Sequence, residues 1–207
     1  MLWIGVAAVA VAAVGVAVWG SVASAVEQAR YTVVSARGPF EIRDYPGMIV
    51  AEVEVAGERR RAISDGFRLL AGYIFGGNRT RTKVAMTAPV TQAAGEKIAM
   101  TAPVTQAPAG DRWRVRFVMP AGYTLDTLPV PDDPAVTLKA LPAQRFAAIR
   151  FAGRATAGAL DRQLAALRGF MADEKLAPLG DPVYAFYNPP WTLPFLRRNE
   201  IMIEVAR

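Results

Sequence analysis

The chain contains one decapeptide twice, as Lys83-Val-Ala-Met-Thr-Ala-Pro-Val-Thr-Gln92 and again as Lys97-Ile-Ala-Met-Thr-Ala-Pro-Val-Thr-Gln106. The copies differ at one position, and the turn-like Ala93-Ala-Gly-Glu96 separates them. Two apolar segments joined by a short turn that contains glycine predict a β-hairpin made by local duplication. Because proline cannot donate a ladder hydrogen bond, Pro89 and Pro103 predict that each copy is an edge strand, bulged or short.

A second motif lies near the C-terminus, where Tyr187-Asn-Pro-Pro-Trp191 is followed by Pro194-Phe-Leu-Arg-Arg-Asn-Glu-Ile201. With the Met-Thr-Ala-Pro-Val core of the repeats before it, the chain from about Tyr31 to its end resembles the SOUL haem-binding family. The resemblance implies an α+β fold, a distorted antiparallel β-barrel of two pseudo-symmetric strand-strand-helix-strand units. It also implies one helix on each side of the barrel.

Hydrophobic periodicity outside the repeats predicts the same kind of fold, with strands alternating every second residue and helices showing a 3.6-residue period. In the first predicted helix, Ile63, Phe67, Leu70 and Ile74 fall on one face. The predicted strands are 31–35, 40–44, 48–55, 113–118, 136–141, 145–151, 183–187 and 201–205, and the predicted helices are 58–75 and 156–175.

The first 26 residues differ from the rest, because residues 2–26 carry no charged side chain. That length is enough for a helix to cross a bilayer. Two interpretations stay open: an uncleaved membrane anchor, or a signal peptide cleaved after the small-x-small Ala23-Ser-Ala25. We expect residues 1–26 to be an N-terminal hydrophobic helix and residues 27–207 the functional domain. The domain is then membrane-anchored, or periplasmic or secreted if the segment is cleaved.

Charge and composition narrow the chemistry of the domain. The net charge is +6 with 24 Lys and Arg, yet the basic residues are spread along the chain, so lipid headgroups are a more natural partner than nucleic acid. The chain has no His and no Cys. This composition excludes a histidine general base, a Ser-His-Asp triad and any zinc site built on imidazole or thiolate.

The resemblance implies haem or another tetrapyrrole as the ligand, held along the first helix and the elements that face it, so we expect the site between this helix and the strands it covers. Aligned on Tyr73-Ile-Phe-Gly-Gly-Asn78, two apolar pocket positions of the family fall on Phe67 and Ala71, and Ile74 continues the row. The family's basic helix positions fall on residues that are not basic here, so helix spacing alone makes Arg68 the candidate partner of a haem propionate. Some family members are thought to use a histidine ligand, which this chain lacks.

Three further residues complete the candidate site. Met and Tyr are the known axial haem ligands that remain in this chain, which makes Met86 a candidate. Tyr187 could stack on a planar ligand, and Arg197 could pair with a propionate. Each also has an ordinary structural interpretation: core packing for Met86, a rigid turn for Tyr187 and a surface ion pair for Arg197.

The sequence therefore predicts a non-enzymatic haem or tetrapyrrole binder that acts in binding, buffering or transfer. One alternative is a barrel that binds other amphipathic small molecules. Another is a carboxylate-dependent enzyme built on Glu41, Asp44, Glu52 and Glu54, although Glu52 and Glu54 share a strand face in the manner of a solvated surface.

Overall fold

The structure is a computed structural model that describes residues 26–80 and 95–207. Helix α1 spans Arg59–Ile74, helix α2 spans Ala157–Asp173, and a short 3₁₀ helix spans Pro194–Leu196. The strands are β1 (Glu27–Gln28), β2 (Thr32–Arg37), β3 (Phe40–Tyr45), β4 (Met48–Ala56), β5 (Asn78–Arg79), β6 (Thr101–Ala102), β7 (Val104–Ala109), β8 (Arg112–Val118), β9 (Val130–Pro131), β10 (Thr137–Leu141), β11 (Gln144–Phe151), β12 (Val183–Phe186) and β13 (Asn199–Val205). The predicted helices and the strands outside the repeats are thus confirmed to within a few residues.

Both helices begin at a side-chain cap. The Glu58 carboxylate accepts hydrogen bonds from the backbone N–H groups of Arg60 and Arg61 at 2.9 and 3.2 Å. The Thr156 hydroxyl accepts one from the Ala159 N–H at 3.3 Å. Each cap satisfies N–H groups that have no partner within the helix, which fixes where the helix starts.

Nine strands form one antiparallel sheet in the order β10-β4-β8-β7-β12-β13-β11-β3-β2. If the extra edge strand β2 is left out, the two halves of the sheet mirror each other. The strands of one half are β10, β4, β8 and β7, and their counterparts in the other half are β3, β11, β13 and β12, in the same order. The two halves meet between β7 and β12. Along the chain, β3-β4-α1-β7-β8 is followed by β10-β11-α2-β12-β13, and the first strand of each unit lies at the far edge of the other unit. Each unit therefore follows a strand-strand-helix-strand-strand plan, which supports the predicted internal pseudo-symmetry and adds one strand to each unit.

The sheet is open, so the predicted closed barrel is wrong. Its edges are β10 and β2, and every residue of β2 is exposed. Opposite edges must pair to close a barrel, and these two edges do not pair with each other. The prediction of one helix on each side is also wrong, because both helices cover the same face of the sheet.

Strand β8 shows that the helices share a face. Val115 and Phe117 belong to the core beneath α1, whereas Trp113, two residues earlier on the same face, packs into the core beneath α2. Residues two apart on a strand point to the same side of the sheet. The arginines that alternate with them lie on the opposite face, as the sequence pattern predicts.

The second copy of the repeat runs into the middle of the sheet, whereas the predicted hairpin with the first copy stays a prediction. Strand β7 begins directly after Pro103, and Val104–Gln106 are paired with β8 on one side and β12 on the other. The segment is therefore central in the sheet rather than at an edge. The two residues before Pro103 form the short strand β6, which pairs with β1. The first copy lies in 81–94, outside the described residues.

The buried face of α1 is rotated relative to the predicted one. Ala62, Gly66, Leu70, Tyr73 and Ile74 are its buried residues. Gly66 lies so close to β8 that a Cβ atom there would be 2.6 Å from Val115 Cγ2. This approach turns the helix so that two predicted core positions, 63 and 67, move to the border of the interface.

The predicted hydrophobic helix over residues 1–26 lies outside the described residues except for its last residue. Among residues 26–80 and 95–207, no helix combines the length and the apolar character needed to cross a membrane.

Candidate functional site

The outward side of α1 carries an apolar row that the core does not absorb. Phe67 is 38% exposed and Phe75, the residue that caps the helix, is 61% exposed. Ala71 lies between them and is half-buried. At 1.5 Å per residue the two aromatic positions lie about 12 Å apart along the helix axis. A Cβ atom at the neighbouring Gly72 would meet no other described residue within 4 Å. Two small residues, Ala71 and Gly72, therefore leave a shallow depression between the two aromatic side chains.

The row is anchored to the core at one end. The ring of Phe67 packs edge-on against the buried ring of Phe117, with centroids 5.3 Å apart. Aromatic rings prefer such edge-to-face arrangements. The position of Phe67 is therefore fixed while part of its ring still faces solvent.

Ile74 does not share this surface. It is 1% exposed and belongs to the core cluster beneath α1. Because it lies three residues after Ala71 on the turn facing the sheet, its side chain supports the helix from below. A ligand on the outward side of α1 would not touch it directly.

Arg68 supplies a cation beside the apolar row. Its side chain is exposed, and its Nη1 lies 3.2 Å from Asp65 Oδ1, one turn earlier. Asp65 also lies 3.7 Å from Arg61 Nε. Exposed ion pairs of this kind contribute little to stability, so the Arg68 guanidinium can exchange Asp65 for another carboxylate.

Met86 lies in 81–94, outside the described residues, so its candidacy as an axial ligand stays a prediction. The corresponding residue of the second repeat, Met100, is half-buried and packs against the core cluster beneath α1. Among the described residues, no group of three or more carboxylate side chains is arranged to hold a metal ion.

Tyr187 lies on the other face of the sheet. Its hydroxyl donates to Glu200 Oε2 at 2.8 Å, and the Arg198 guanidinium stacks over its ring at 3.8 Å. Burial and the nearby Glu200 carboxylate raise the pKa of Tyr187 above its usual value. The structure does not bring Tyr187 together with the candidate residues of α1.

Glu200 is the centre of a buried ionic network. Its carboxylate is fully buried and accepts two hydrogen bonds from Arg43, at 2.6 and 3.1 Å. Arg198 Nη2 lies 2.7 Å from Glu200 Oε1. Burial alone would raise the pKa of Glu200, but the hydrogen bonds and charges of Arg43 and Arg198 hold it below its ordinary value. No local sequence pattern indicated this network, because its partners are far apart in the chain.

Arg197 secures the loop that precedes it. Its Nε donates to the Thr192 carbonyl at 2.7 Å, and its Nη2 donates to the Pro190 carbonyl. The backbone N–H of Arg198 donates to Asn188 Oδ1 at 2.6 Å. The guanidinium of Arg197 is thus occupied with carbonyl groups of its own loop, and it lies on a different element from Phe67 and Arg68.

The acidic residues considered for catalysis are all paired with cations. Glu52 was predicted to lie on a solvated surface, and the structure shows that it is buried. Glu52 is 2% exposed, and its carboxylate contacts Lys139 Nζ at 2.5 Å and Arg116 Nε at 2.8 Å. Burial would raise its pKa, yet these two cations lower it. Glu41, Asp44 and Glu54 are paired with Arg43, Arg145 and Arg114, respectively.

A separate cavity of about 390 Å³ opens beside β1, away from α1. It is lined by backbone and apolar side chains from the β3–β4 turn and the end of β8, together with Arg30 and Glu27. Met48, Met119 and Tyr123 are among its walls. No local sequence pattern indicated this cavity, because its wall residues come from five separate stretches of the chain.

These features define the class of the protein: a two-layer α/β domain with internal twofold pseudo-symmetry, an open antiparallel sheet and two helices on one face. Residues 26–204 match the family described as SOUL heme-binding protein. The chain belongs to this family, as the two sequence motifs indicate.

Solved structures share the fold at low sequence identity. The C-terminal domain of EcmrR is 11% identical, with a TM-score of 0.58 over 86% of this chain and 98% of that one. A hydrolase from Listeria innocua is 12% identical, with a TM-score of 0.54 over 84% and 94% of the two chains. An uncharacterized conserved protein from Listeria innocua is 13% identical, with a TM-score of 0.54 over 83% and 94%. No curated protein matches the chain.

Proposed function

We propose that the chain binds haem or a related tetrapyrrole on the outward side of α1 and acts without catalysis, in binding, buffering or transfer. The observation that carries the proposal is the row formed by the exposed Phe67 and Phe75 with the half-buried Ala71 between them, beside which the described residues leave open space at Gly72. A flat apolar macrocycle can cover these residues and remove their surface from water. Membership of the SOUL family supports the choice of haem.

The residues of α1 fit the chemistry of such a ligand. Phe67 and Ala71 offer apolar contact, and Arg68 offers a guanidinium that can pair with a propionate. Iron in a bound haem would use Met or Tyr if it takes a protein ligand, because His and Cys are absent from the chain. Ile74 has a supporting role beneath the helix. Tyr187 and Arg197 lie on other elements, so a ligand bound to α1 would not contact them.

The electrostatics of the acidic residues support a non-enzymatic role. A carboxyl group that works as a general acid near neutral pH needs a raised pKa. The pKa values of Asp44, Glu52 and Glu200 are instead lowered by their arginine and lysine partners. These carboxylates stay ionised and occupied by cations.

The cavity beside β1 favours a second candidate function, the binding of another amphipathic small molecule. Its volume of about 390 Å³ lies within the range of small-molecule sites. Methionine walls adapt readily to ligand shape, and Arg30 could meet an anionic group. A small amphipathic anion would occupy this cavity, whereas a macrocycle would lie on α1.

The domain is proposed to be held at the membrane by residues 1–26, which act as its anchor. The length and lack of charge of residues 2–26 support an uncleaved anchor. A native chain that retains Met1 by mass spectrometry supports this proposal, and a mature chain that starts at Val26 contradicts it.

The haem site is tested by two substitutions on α1. The tryptophan side chain of Ala71→Trp should fill the space between Phe67 and Phe75, and Arg68→Ala should remove the cation that pairs with a propionate. Each should weaken haemin binding about tenfold or more, or roughly 1.4 kcal/mol. Arg68 is exposed, so thermal unfolding of Arg68→Ala should stay near that of the original chain. Ala71 is half-buried, so the unfolding temperature of Ala71→Trp is measured to verify that this variant is folded.

Arg162→Ala, an exposed arginine on α2, is the matched control and should leave haemin binding unchanged. Absorbance titration with haemin measures all three variants. If Ala71→Trp and Arg68→Ala stay folded and bind haemin as tightly as the control, the ligand does not lie on α1.

A further inference from the structure

The loop between β12 and β13 exposes four large apolar side chains within six residues. The exposed fractions are 68% for Trp191, 53% for Leu193, 70% for Phe195 and 54% for Leu196. Elsewhere in residues 26–80 and 95–207, exposed large apolar side chains are single or come in pairs. A concentrated apolar surface of this kind marks a site of interaction.

The Trp191–Leu196 loop is held in this conformation. Besides the two hydrogen bonds from Arg197 described above, the Gly153 N–H donates to the Pro194 carbonyl at 2.9 Å. The Leu196 N–H donates to the Leu193 carbonyl at 2.9 Å within the 3₁₀ helix. Because the backbone is tied to Arg197 and Gly153, the apolar side chains cannot easily turn inward.

The composition of the loop matches the boundary between lipid and water. From Tyr187 to Leu196 there is no charged residue, and Trp, Leu and Phe are the side chains that enter the headgroup and upper acyl region of a bilayer. Exposed Arg154, directly after Gly153, lies beside the loop. Together with the net charge of +6, it favours a surface of anionic lipid.

The N-terminal end of the described chain lies beside the same loop. Arg198, two residues after the loop, donates from Nη1 to Gln28 Oε1 at 3.0 Å and from Nη2 to the Tyr31 hydroxyl at 3.1 Å. Glu27 and Gln28 pair with Thr101 and Ala102, just before β7. The uncharged residues 2–26 therefore join the domain close to Arg198, which follows the loop by two residues.

We propose that the Trp191–Leu196 loop is a membrane-docking element, which inserts its apolar side chains into the interface of an anionic bilayer. Two features select lipid over a second copy of the chain or another protein: the exposed cation Arg154 next to Gly153, which binds the loop, and the nearby junction with the uncharged N-terminal segment. This inference is independent of haem binding. Docking through the loop would fix the orientation of the domain on the membrane.

The lack of cysteine permits a direct test on the full chain. Phe195→Cys is labelled with an environment-sensitive fluorophore, and the protein is added to vesicles of phosphatidylcholine and phosphatidylserine. The matched control is Leu179→Cys, because Leu179 is also well exposed but lies near Glu204, at the opposite end of β13. Unchanged thermal unfolding of both labelled chains verifies that they are folded.

The label at residue 195 should shift its emission to shorter wavelength in vesicles. Nitroxide lipids should quench it roughly threefold more strongly than the label at residue 179, because interfacial insertion reaches about 5–10 Å below the headgroups. Equal quenching at the two positions, or an aqueous spectrum at residue 195, overturns the proposal.

Two measurements without lipid show whether something other than a membrane covers the apolar side chains of the loop. If residue 195 becomes shielded only as protein concentration rises, the loop binds a second copy. If it is shielded at every concentration, the N-terminal segment of the same chain covers it. Either result, combined with no further change on adding vesicles, also overturns the proposal.

Discussion

Replacing Arg43 with methionine should lower the free energy of unfolding by about 3 kcal/mol or more, because it removes one partner of a buried ion pair. Arg43 donates twice to the fully buried Glu200 and is itself 1% exposed. Methionine fills much of the same volume, so loss of charge pairing dominates over loss of packing. Chemical denaturation at neutral pH measures the difference.

Arg145→Met is the matched control on the neighbouring strand β11. Arg145 makes a bidentate pair with Asp44, with both nitrogen–oxygen distances at 2.8 Å, but both side chains are partly exposed. Such a pair is worth about 0–1 kcal/mol. A loss for Arg43→Met that is no greater than the loss for Arg145→Met would contradict the proposed importance of the buried network.

The destabilisation by Arg43→Met should also depend on pH. In the folded original chain, the pKa of Glu200 is held below the ordinary value of 4.5. Stability from this group is therefore present above about pH 4.5 and lost as the pH falls through the lowered pKa. Without Arg43 the pKa of Glu200 rises, so the two unfolding free energies should converge below about pH 4.5.

Replacing Gly66 with valine should lower the free energy of unfolding by about 3 kcal/mol, through overpacking between α1 and β8. A Cβ atom at Gly66 would lie 2.6 Å from Val115 Cγ2 and 2.8 Å from Val115 Cβ. Val115 is fully buried in the central part of the sheet, so it has little room to move. The helix would have to shift away from the core.

Gly72→Val provides the comparison on the same helix, since a Cβ atom there meets nothing within 4 Å in the described part of the chain. Valine and glycine differ by only a few tenths of a kcal/mol in helix propensity, so unfolding should change by about 0.5 kcal/mol or less. Thermal and denaturant unfolding of both variants decide the matter. Equal stability of the two would mean that α1 does not pack on β8 at Gly66.

The sequence predicted the secondary structure well where one face of an element is buried. The alternation from Trp113 to Val118 predicts β8, and the capping residues Glu58 and Thr156 mark the helix starts. Local chemistry determines these features, so local patterns are sufficient to find them. The family motifs likewise identified the fold family.

The helix face and the closure of the sheet required information that local patterns do not contain. The periodicity of large apolar residues predicted that Phe67 lies in the core. In the structure the close contact at Gly66 turns α1, so that the face with Ala62 and Tyr73 is buried instead. Sheet closure depends on whether the strands at the two edges meet. That outcome follows from the twist and order of all nine strands, not from any one strand.

The polar network was hidden for a similar reason. Arg43 and Glu200 are 157 positions apart, and each looks like an ordinary surface residue in its own segment. Glu52 was misjudged because its cations come from β8 and β10. For the candidate site, the sequence placed Phe67, Ala71 and Ile74 in a pocket between the first helix and the strands it covers. Packed core side chains fill that space, so Ile74 lies beneath the helix while Phe67 and Ala71 reach its surface.

Titration of the full chain with haemin tests the central claim most directly. We predict saturable one-to-one binding with a shifted Soret band and a mainly high-spin ferric spectrum, because neither His nor Cys is available as a ligand. Metal-free protoporphyrin should bind within about tenfold of haemin, or roughly 1.4 kcal/mol, since contact with α1 supplies most of the affinity. Absorbance that rises without saturation and without a Soret shift would contradict haem binding by this protein.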